Sequence, residues 1–271
     1  MQPIAIFGIT GRMGQALLRA MREAPGFTLS GAIASAGSGR LGQDAASEGA
    51  PTGVSITADP DTGVHGASAA LDFSSGAGVA THARACAAAG VPILIGATGY
   101  DAASRAVLEQ AARRIAVLIA PNTSVGVSVM TELVSMAASM LGASYDVEIL
   151  DAHHRTKRDA PSGTALALGE AVASARAVSL RDAAALDRSG HGAPRAPGSI
   201  GFASLRGGDI VGEHTVTFAA AGERVEIIHR ATDRMTFARG ALRAAQWLAG
   251  QPAGLYGMQN VLGMDSHRGH R

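Results

Sequence analysis

An α/β fold in two parts is what this sequence predicts: a parallel sheet with helices on both faces, then an α+β region built on a mixed sheet. Three observations carry that expectation. Short apolar runs alternate with stretches of helical spacing over the first 124 residues; a small or turn-forming residue follows the runs; and beyond that point three strand candidates come in close succession. A parallel connection needs a crossover, which a right-handed helical connection supplies. Strands that follow one another directly point to antiparallel or mixed pairing.

Taken in order, PIAIFG is the first strand, TGRMGQALLRAMREA the first helix and FTLSGAIAS the second strand. ASAALDFSS, VPILIGATG and IAVLIAPNTS continue the strands, with GAGVATHARACAAAG and DAASRAVLEQAARR as helices between them. Gly8, Ser74, Gly96 to Thr98 and Asn122 fall at the carboxyl ends of these strands, where open α/β sheets bind ligands. In the second region VGVSVMTELVSMAASML reads as a helix, YDVEILDAHH as a strand and PSGTALALGEAVASARA as a helix. The loop DRSGHGAPRAPG leads to strands SIGFASLRGG, GEHTVTFAA and ERVEIIHRA. The last helix, MTFARGALRAAQWLAG, has one apolar face and is expected to return to the first domain. The domains expected are 1–124 with 234–271, and 125–233. The tail DSHRGHR is expected to be a solvated terminus rather than a metal site.

Composition narrows the function classes. The formal net charge is +1, so no global electrostatic footprint for nucleic acid exists and any basic site is local. The apolar runs are interrupted, below the roughly 20 residues of a membrane span, and MQPIAIFGITGRMG lacks the pattern of a secretory signal, so a cytoplasmic protein is expected. Cys86 is the only cysteine, which excludes an intramolecular disulfide and a cysteine-cluster metal site. Of the 23 cationic residues only Lys157 is lysine. A coding bias toward arginine explains the others, and a proton donor cannot be a guanidinium that never deprotonates.

Two motifs carry chemistry. GITGRMG, with Gly8, Gly11 and Gly14, sits between the first strand and first helix, where a tight turn brings a pyrophosphate to helix-terminal amides. A turn needed only for close helix packing is the competing reading. The segment after the second strand holds Ser35 and Arg40 and no acid, compatible with a 2′-phosphate; NADPH or NADH is therefore expected, with a lean toward NADPH. The second motif is DAHHRTKRDAPSGTA. Ser162 is a candidate N-cap that leaves the amides of Gly163, Thr164 and Ala165 for a carboxylate. His153, His154 and Lys157 stand just upstream, and adjacent histidines in an extended segment face opposite ways. A solvated basic loop is the alternative; two histidines without a third ligand make a metal site the weaker one.

These segments, together with GATGY, APNTSVGV, SLRGGDIVGEHTVTF and RMTFARGA, closely resemble the 4-hydroxy-tetrahydrodipicolinate reductase family, traditionally dihydrodipicolinate reductase, along essentially the whole chain. Asp151 stands where that family usually has Glu, and Thr123 where it often has an aromatic. The resemblance implies that 1–124 with 234–271 form a Rossmann-like dinucleotide-binding domain and that 125–233 form the substrate-binding and tetramerisation domain of a homotetramer. The reaction it implies is NAD(P)H-dependent reduction of a small dicarboxylate in diaminopimelate and lysine biosynthesis. It places Gly8, Ile9, Thr10, Gly11, Arg12 and Met13 under the pyrophosphate and Gly96, Ala97 and Thr98 near the ribose and nicotinamide. Ala120, Pro121, Asn122 and Thr123 would floor the nicotinamide. His153 would be proton donor or acceptor, Lys157 proton donor, His154 a substrate contact, and Gly163 with Thr164, after Ser162, the carboxylate clamp. Arg206 and Arg234 carry no assigned role. A different nicotinamide dehydrogenase, for instance one acting on aspartate, would share the first motif but not the second; a redox-sensing nucleotide-binding protein would need the glycine turn alone.

Overall fold

Apolar strands buried on both faces organise the first part of the chain. The computed structural model describes residues 1–190 and 192–264, so the tail histidines lie outside the described residues. The first elements are β1 (Gln2–Phe7), α1 (Arg12–Glu23), β2 (Phe27–Ile33), β3 (Ile56–Thr57), α2 (Pro60–Val64), β4 (Ala69–Asp72), α3 (Val79–Ala89), β5 (Ile93–Ile95), α4 (Ala102–Ala111) and β6 (Ala116–Ile119). Then come α5 (Val125–Leu141), β7 (Asp146–His153), α6 (Gly163–Ala175), α7 (Leu180–Ala183), β8 (Ala184–Ala185), β9 (Ile200–Arg206), β10 (Gly212–Ala220) and β11 (Glu223–Ala231). The chain closes with α8 (Met235–Leu248), β12 (Gly254–Tyr256) and α9 (Met258–Val261). Two compact units result: Met1–Val125 with the chain from Met235 onward, and Gly126–Arg234.

The first unit is Rossmann-like, with seven strands in the order β12-β6-β5-β4-β1-β2-β3 and parallel pairing throughout. Alternation along β1 divides its side chains between two cores. Ile4 and Ile6 pack with Leu17, Leu18 and Met21 of α1 and with Ala241, Leu242 and Leu248 of α8. Ala5 and Phe7 face the other way, to Val79, Ala83 and Cys86 of α3 and Leu108 of α4. The stripe Gly14, Leu17, Leu18, Met21 has the spacing of one helix face, and burying each leucine is worth about 1.5–3 kcal/mol. Cys86 is fully buried and burial pushes its thiol up, as suits an inert core residue. The edge strand β12 has no counterpart in the sequence reading. Its three residues, Gly-Leu-Tyr, are too few to show alternation.

The second unit is a mixed sheet in the order β11-β10-β7-β9-β8. β10 runs antiparallel to β7 and β11, while β9 lies parallel to β7. One face is covered by Met130, Val134 and Ala138 of α5 and Ala165, Leu168 and Val172 of α6. The opposite face leaves Leu150, Leu205 and Ile228 exposed. One expectation needs correction: Val125–Ser144 is long and apolar enough to match a membrane span by length and composition alone. Only Glu132 interrupts it, and the composition of a single-sided core helix overlaps that of a span.

Helix α8 is seated on the segment after β6. Thr123 Oγ1 donates to the Phe237 carbonyl at 2.7 Å, and a Cβ on Gly240 would run into the Thr123 carbonyl. Helix propensity alone favours alanine over glycine by about 1 kcal/mol, so the sign of the effect is diagnostic. Gly240→Ala is expected to destabilise by about 1–3 kcal/mol through overpacking, read as a lower midpoint in denaturant or thermal melting; a raised midpoint would contradict the contact.

Candidate active site

Five turns leave the same edge of the parallel sheet, because parallel strands all deliver their carboxyl ends there. Gly8 follows β1, Ala34 and Ser35 follow β2, Phe73 and Ser74 follow β4, Gly96 to Thr98 follow β5, and Ala120 to Thr123 follow β6. The strand order reverses at β1, between β2 and β4, which marks the crevice where open α/β sheets take ligands. Gly8 has φ +79°, and a Cβ there would lie 2.8 Å from the Phe73 carbonyl oxygen. Gly14 serves packing instead: a Cβ would meet the Gly8 oxygen at 2.5 Å. The loop between them leaves Thr10, Gly11 and Arg12 exposed and Ile9 fully buried. Helix α1 starts after Gly11 with no side-chain cap, two residues later than the sequence reading, so its first amides and the positive end of its dipole face the exposed turn. Met13 is half-buried against the core.

The other expected cofactor residues differ in what they offer. Thr98, Ser35 and Pro121 are exposed; Ala97, Ala120 and Thr123 are buried and can present only backbone to a ligand. Thr123 turns its hydroxyl into α8, and Asn122 Oδ1 accepts from the Ser124 amide at 2.9 Å. The Arg40 guanidinium donates to the carbonyls of Asp44 and Ala46 at 2.8 and 3.0 Å, so it ties its own loop together. Asp44 closes the same loop: hydrogen bonds from Thr52 and Ala46 hold its carboxyl down to about 2.

In the second unit DAHHRTKRDAPSGTA spans the end of β7 and the start of α6. Asp151 and His153 are two apart in a strand and share a face. Asp151 is fully buried. Its Oδ2 accepts from His153 Nδ1 at 2.8 Å and from Arg206 Nη1 at 2.9 Å. Its Oδ1 accepts from Ser204 Oγ at 2.6 Å and the Ser162 amide at 3.4 Å. Burial opposes the charge, but hydrogen bonds from His153, Ser204 and Arg206, with the arginine's charge, outweigh it and hold the carboxyl well below the usual range. Donation through Nδ1 leaves Nε2 as the imidazole nitrogen available for proton exchange. Gly212 lies beside that nitrogen, where a Cβ would come within 3.2 Å.

Lys157 is paired with Asp159 at 2.7 and 2.8 Å, and this bond lowers the Asp159 carboxyl. Arg206 also donates to the Asp159 carbonyl at 2.7 Å, which fastens the lysine's loop to the buried carboxylate. His154 lies just past the end of β7, its Nδ1 2.8 Å from Thr156 Oγ1. Arg155 and Arg158 are exposed, the solvated part of the cluster. Ser162 is the N-cap of α6, but its Oγ accepts from Ala165 N at 3.1 Å. The Ala165 amide is therefore already taken, contrary to expectation, and Gly163 and Thr164 remain at the dipole's positive end. Ser162 is 2% exposed, with its hydroxyl also against His214 Nε2 at 3.1 Å, so it places the helix end rather than offering its own oxygen.

Sequence reasoning missed His214 and Ser204 and left Arg206 without a role. Strand register brings them in: Asp151 pairs with His214 on one side and Ser204 on the other, and His153 pairs with Arg206. The rings of His153 and His214 meet edge to face at 5.3 Å. No signal within the motif marks partners more than 50 residues away. Among the described residues no group of three or more His, Cys, Asp or Glu is placed to hold a metal ion.

His214 gives a pH dependence with a defined sign. Burial first, then the neighbouring His153, pushes its imidazole from 6.5 down to about 4. The unfolded chain takes up a proton that the native one refuses, so this contribution to stability is fully present above about pH 6.5 and is lost as pH falls toward about 4. His214→Gln is expected to flatten that part of the profile of melting temperature against pH; an unchanged slope would exclude His214 as its source.

Comparison with known proteins agrees with both halves of this arrangement. Residues 2–123 match the family model for the N-terminus of dihydrodipicolinate reductase, and residues 126–262 match that for its C-terminus. A 4-hydroxy-tetrahydrodipicolinate reductase of Anaeromyxobacter dehalogenans is 50% identical over 266 residues, 97% of this chain and 98% of that protein. One from Bordetella parapertussis is 51% identical over 264 residues, with 97% and 98% covered. Among solved structures, a dipicolinate-bound dihydrodipicolinate reductase from Paenisporosarcina sp. TG-14 shares the fold with a TM-score of 0.73 at 23% identity, over 96% of this chain and 99% of that one. With both domain models matched in order and half of all positions identical to such relatives, the chain belongs to the dihydrodipicolinate reductase family.

Proposed function

We propose that this protein is the cytoplasmic oxidoreductase that converts 4-hydroxy-tetrahydrodipicolinate to tetrahydrodipicolinate in diaminopimelate and lysine biosynthesis, using NADPH or NADH. The observation that carries the chemistry is the buried Asp151 carboxylate holding His153 by Nδ1 within the motif that also bears Lys157 and the start of α6. The glycine turn, the uncapped start of α1 and the strand-end backbone at Gly96, Ala97 and Ala120 suit a dinucleotide. When bound, the reduced nicotinamide supplies hydride to the conjugated ring. The side chains then manage charge and protons. Gly163 and Thr164 hold a carboxylate, with His154 as a further substrate contact. Lys157 and His153 protonate the ring as negative charge develops on it, and an anionic substrate competes with Asp159 for the lysine's ammonium. Ser35 remains near the position of a 2′-phosphate, whereas Arg40 is engaged with its own loop, so the lean toward NADPH rests on the absence of an acid there.

Assembly is part of the same reading. The bare sheet face with Leu150, Leu205 and Ile228 is apolar enough to be covered by other copies, and we take the working form to be a homotetramer. Light scattering after size exclusion is expected to give the tetramer mass for the parent chain and a smaller species for Leu150→Glu. A monomeric parent would overturn this.

Activity is tested by the loss of NADPH or NADH absorbance with substrate made freshly by a coupled aldolase; no substrate-dependent oxidation would refute the reading and favour another nicotinamide dehydrogenase. Within that assay Lys157→Ala is expected to lower turnover by about 10²–10⁴-fold with cofactor affinity little changed. Thr164→Val is expected to act on the KM for substrate instead. Near-normal turnover in the first variant, or an unchanged KM in the second, would remove the respective role.

A further inference from the structure

Ser74 stands at the end of a strand and has no part in the functions assigned so far. Next to it lies the fully buried Asp72, last residue of β4. The bonds that Asp72 makes at this end of the sheet land on two turns and on helix α3. Its backbone carbonyl accepts from the amides of Gly96 and Ala97 at 2.8 and 3.0 Å. Its Oδ1 accepts from the Ser74 amide and hydroxyl at 2.9 and 2.6 Å. Its Oδ2 lies 2.8 Å from His82 Nδ1, the imidazole arriving from α3. The next residue, Phe73, donates its amide to the Phe7 carbonyl at 3.1 Å, and its own carbonyl is the atom that crowds Gly8.

His82 closes the arrangement from below. Its ring stacks on Phe7, the residue before Gly8, with centroids 4.1 Å apart and planes 17° from parallel. A Cβ on Gly78 would press on the same ring, so that glycine leaves the space the imidazole fills. A buried carboxylate needs donors wherever it sits. Here, however, the donor side chain touches both strands that flank the crevice, β1 through Phe7 and β4 through Asp72. A structural hydrogen bond elsewhere in the core would contribute stability alone; this one fixes the spacing of the Gly8 turn from the Gly96–Ala97 turn.

We propose that His82 and Asp72 are positioning residues for the dinucleotide, with the Asp72–Ser74 turn as the common support of the Gly8 and Gly96–Ala97 turns. The proposal rests on the reading that this edge of the sheet takes NADPH or NADH. Neither residue touches the reacting atoms, so the effect falls on cofactor affinity and leaves the substrate's KM at saturating cofactor as it was.

The test is fluorescence titration of NADPH and of NADH into the full-length protein and its His82→Ala, His82→Asn and Asp72→Asn variants, with steady-state constants beside it. Loss of a hydrogen bond to a charged group predicts a rise of about tenfold or more in both dissociation constants for His82→Ala. His82→Asn, whose amide can stand in for Nδ1–H, recovers most of the affinity. Unaltered cofactor affinity in a folded His82→Ala overturns the positioning role and leaves the cofactor reading intact. Absence of saturable binding by the parent overturns both. Should His82→Ala fail to fold by circular dichroism, His82→Asn is compared with His82→Gln, which cannot place its donor at Nδ1; tighter cofactor binding by the Asn variant supports the proposal and equal affinities overturn it.

Discussion

A single buried carboxylate, Asp151, organises the second unit's chemistry. Removing an ion of this size from water costs several kcal/mol even after relaxation, so the fold keeps it charged only by surrounding it with donors. Those four donors come from three places: His153 on the same strand, Ser204 and Arg206 on β9, and the Ser162 amide at the start of α6. Satisfying one charge thereby aligns two strands and a helix end. It also directs the His153 Nδ1 toward the carboxylate and leaves Nε2 facing away from it. The aspartate side chain is short, and β9 reaches it with a hydroxyl and a guanidinium.

The same economy appears around that carboxylate at lower cost. Ser162 gives its oxygen to Ala165 N and His214, and so holds the helix end without occupying it. His214, kept neutral by burial, adds bulk behind His153 without adding a second positive charge. Lys157 is held by an exposed acid, Asp159, rather than by a group in the interior. An interior partner would have fixed the lysine; a surface ion pair of this kind is worth only about 0–1 kcal/mol.

In the first unit the organising constraint is geometric. Parallel strands deliver all their carboxyl ends to one edge, and the reversal of strand order beside β1 opens the edge to a ligand. Close approach of backbones then governs residue choice. Gly8 must pass the Phe73 carbonyl in a left-handed conformation, and Gly14 lets α1 settle on the turn. Buried alanines at 97 and 120 leave backbone as the surface a dinucleotide would read.

Local pattern was sufficient for the strand and helix alternation, the glycine turn and the division of DAHHRTKRDAPSGTA into a histidine strand, a lysine loop and a capped helix. Each of these depends on residues within a few positions of one another, where the periods of strand and helix decide who shares a face. Asp151 beside His153 belongs to that class and was legible as an acid two residues away, though its role was not. His214, Ser204 and Arg206 enter only through the hydrogen-bond register of β7 with β10 and β9. The inward turn of Thr123, the self-directed Arg40 and the edge strand β12 were likewise settled by packing. Spacing along the chain fixes neighbours a few residues apart; which distant side chains meet a buried charge is fixed by strand pairing, because only the assembled sheet can supply the donors that charge requires.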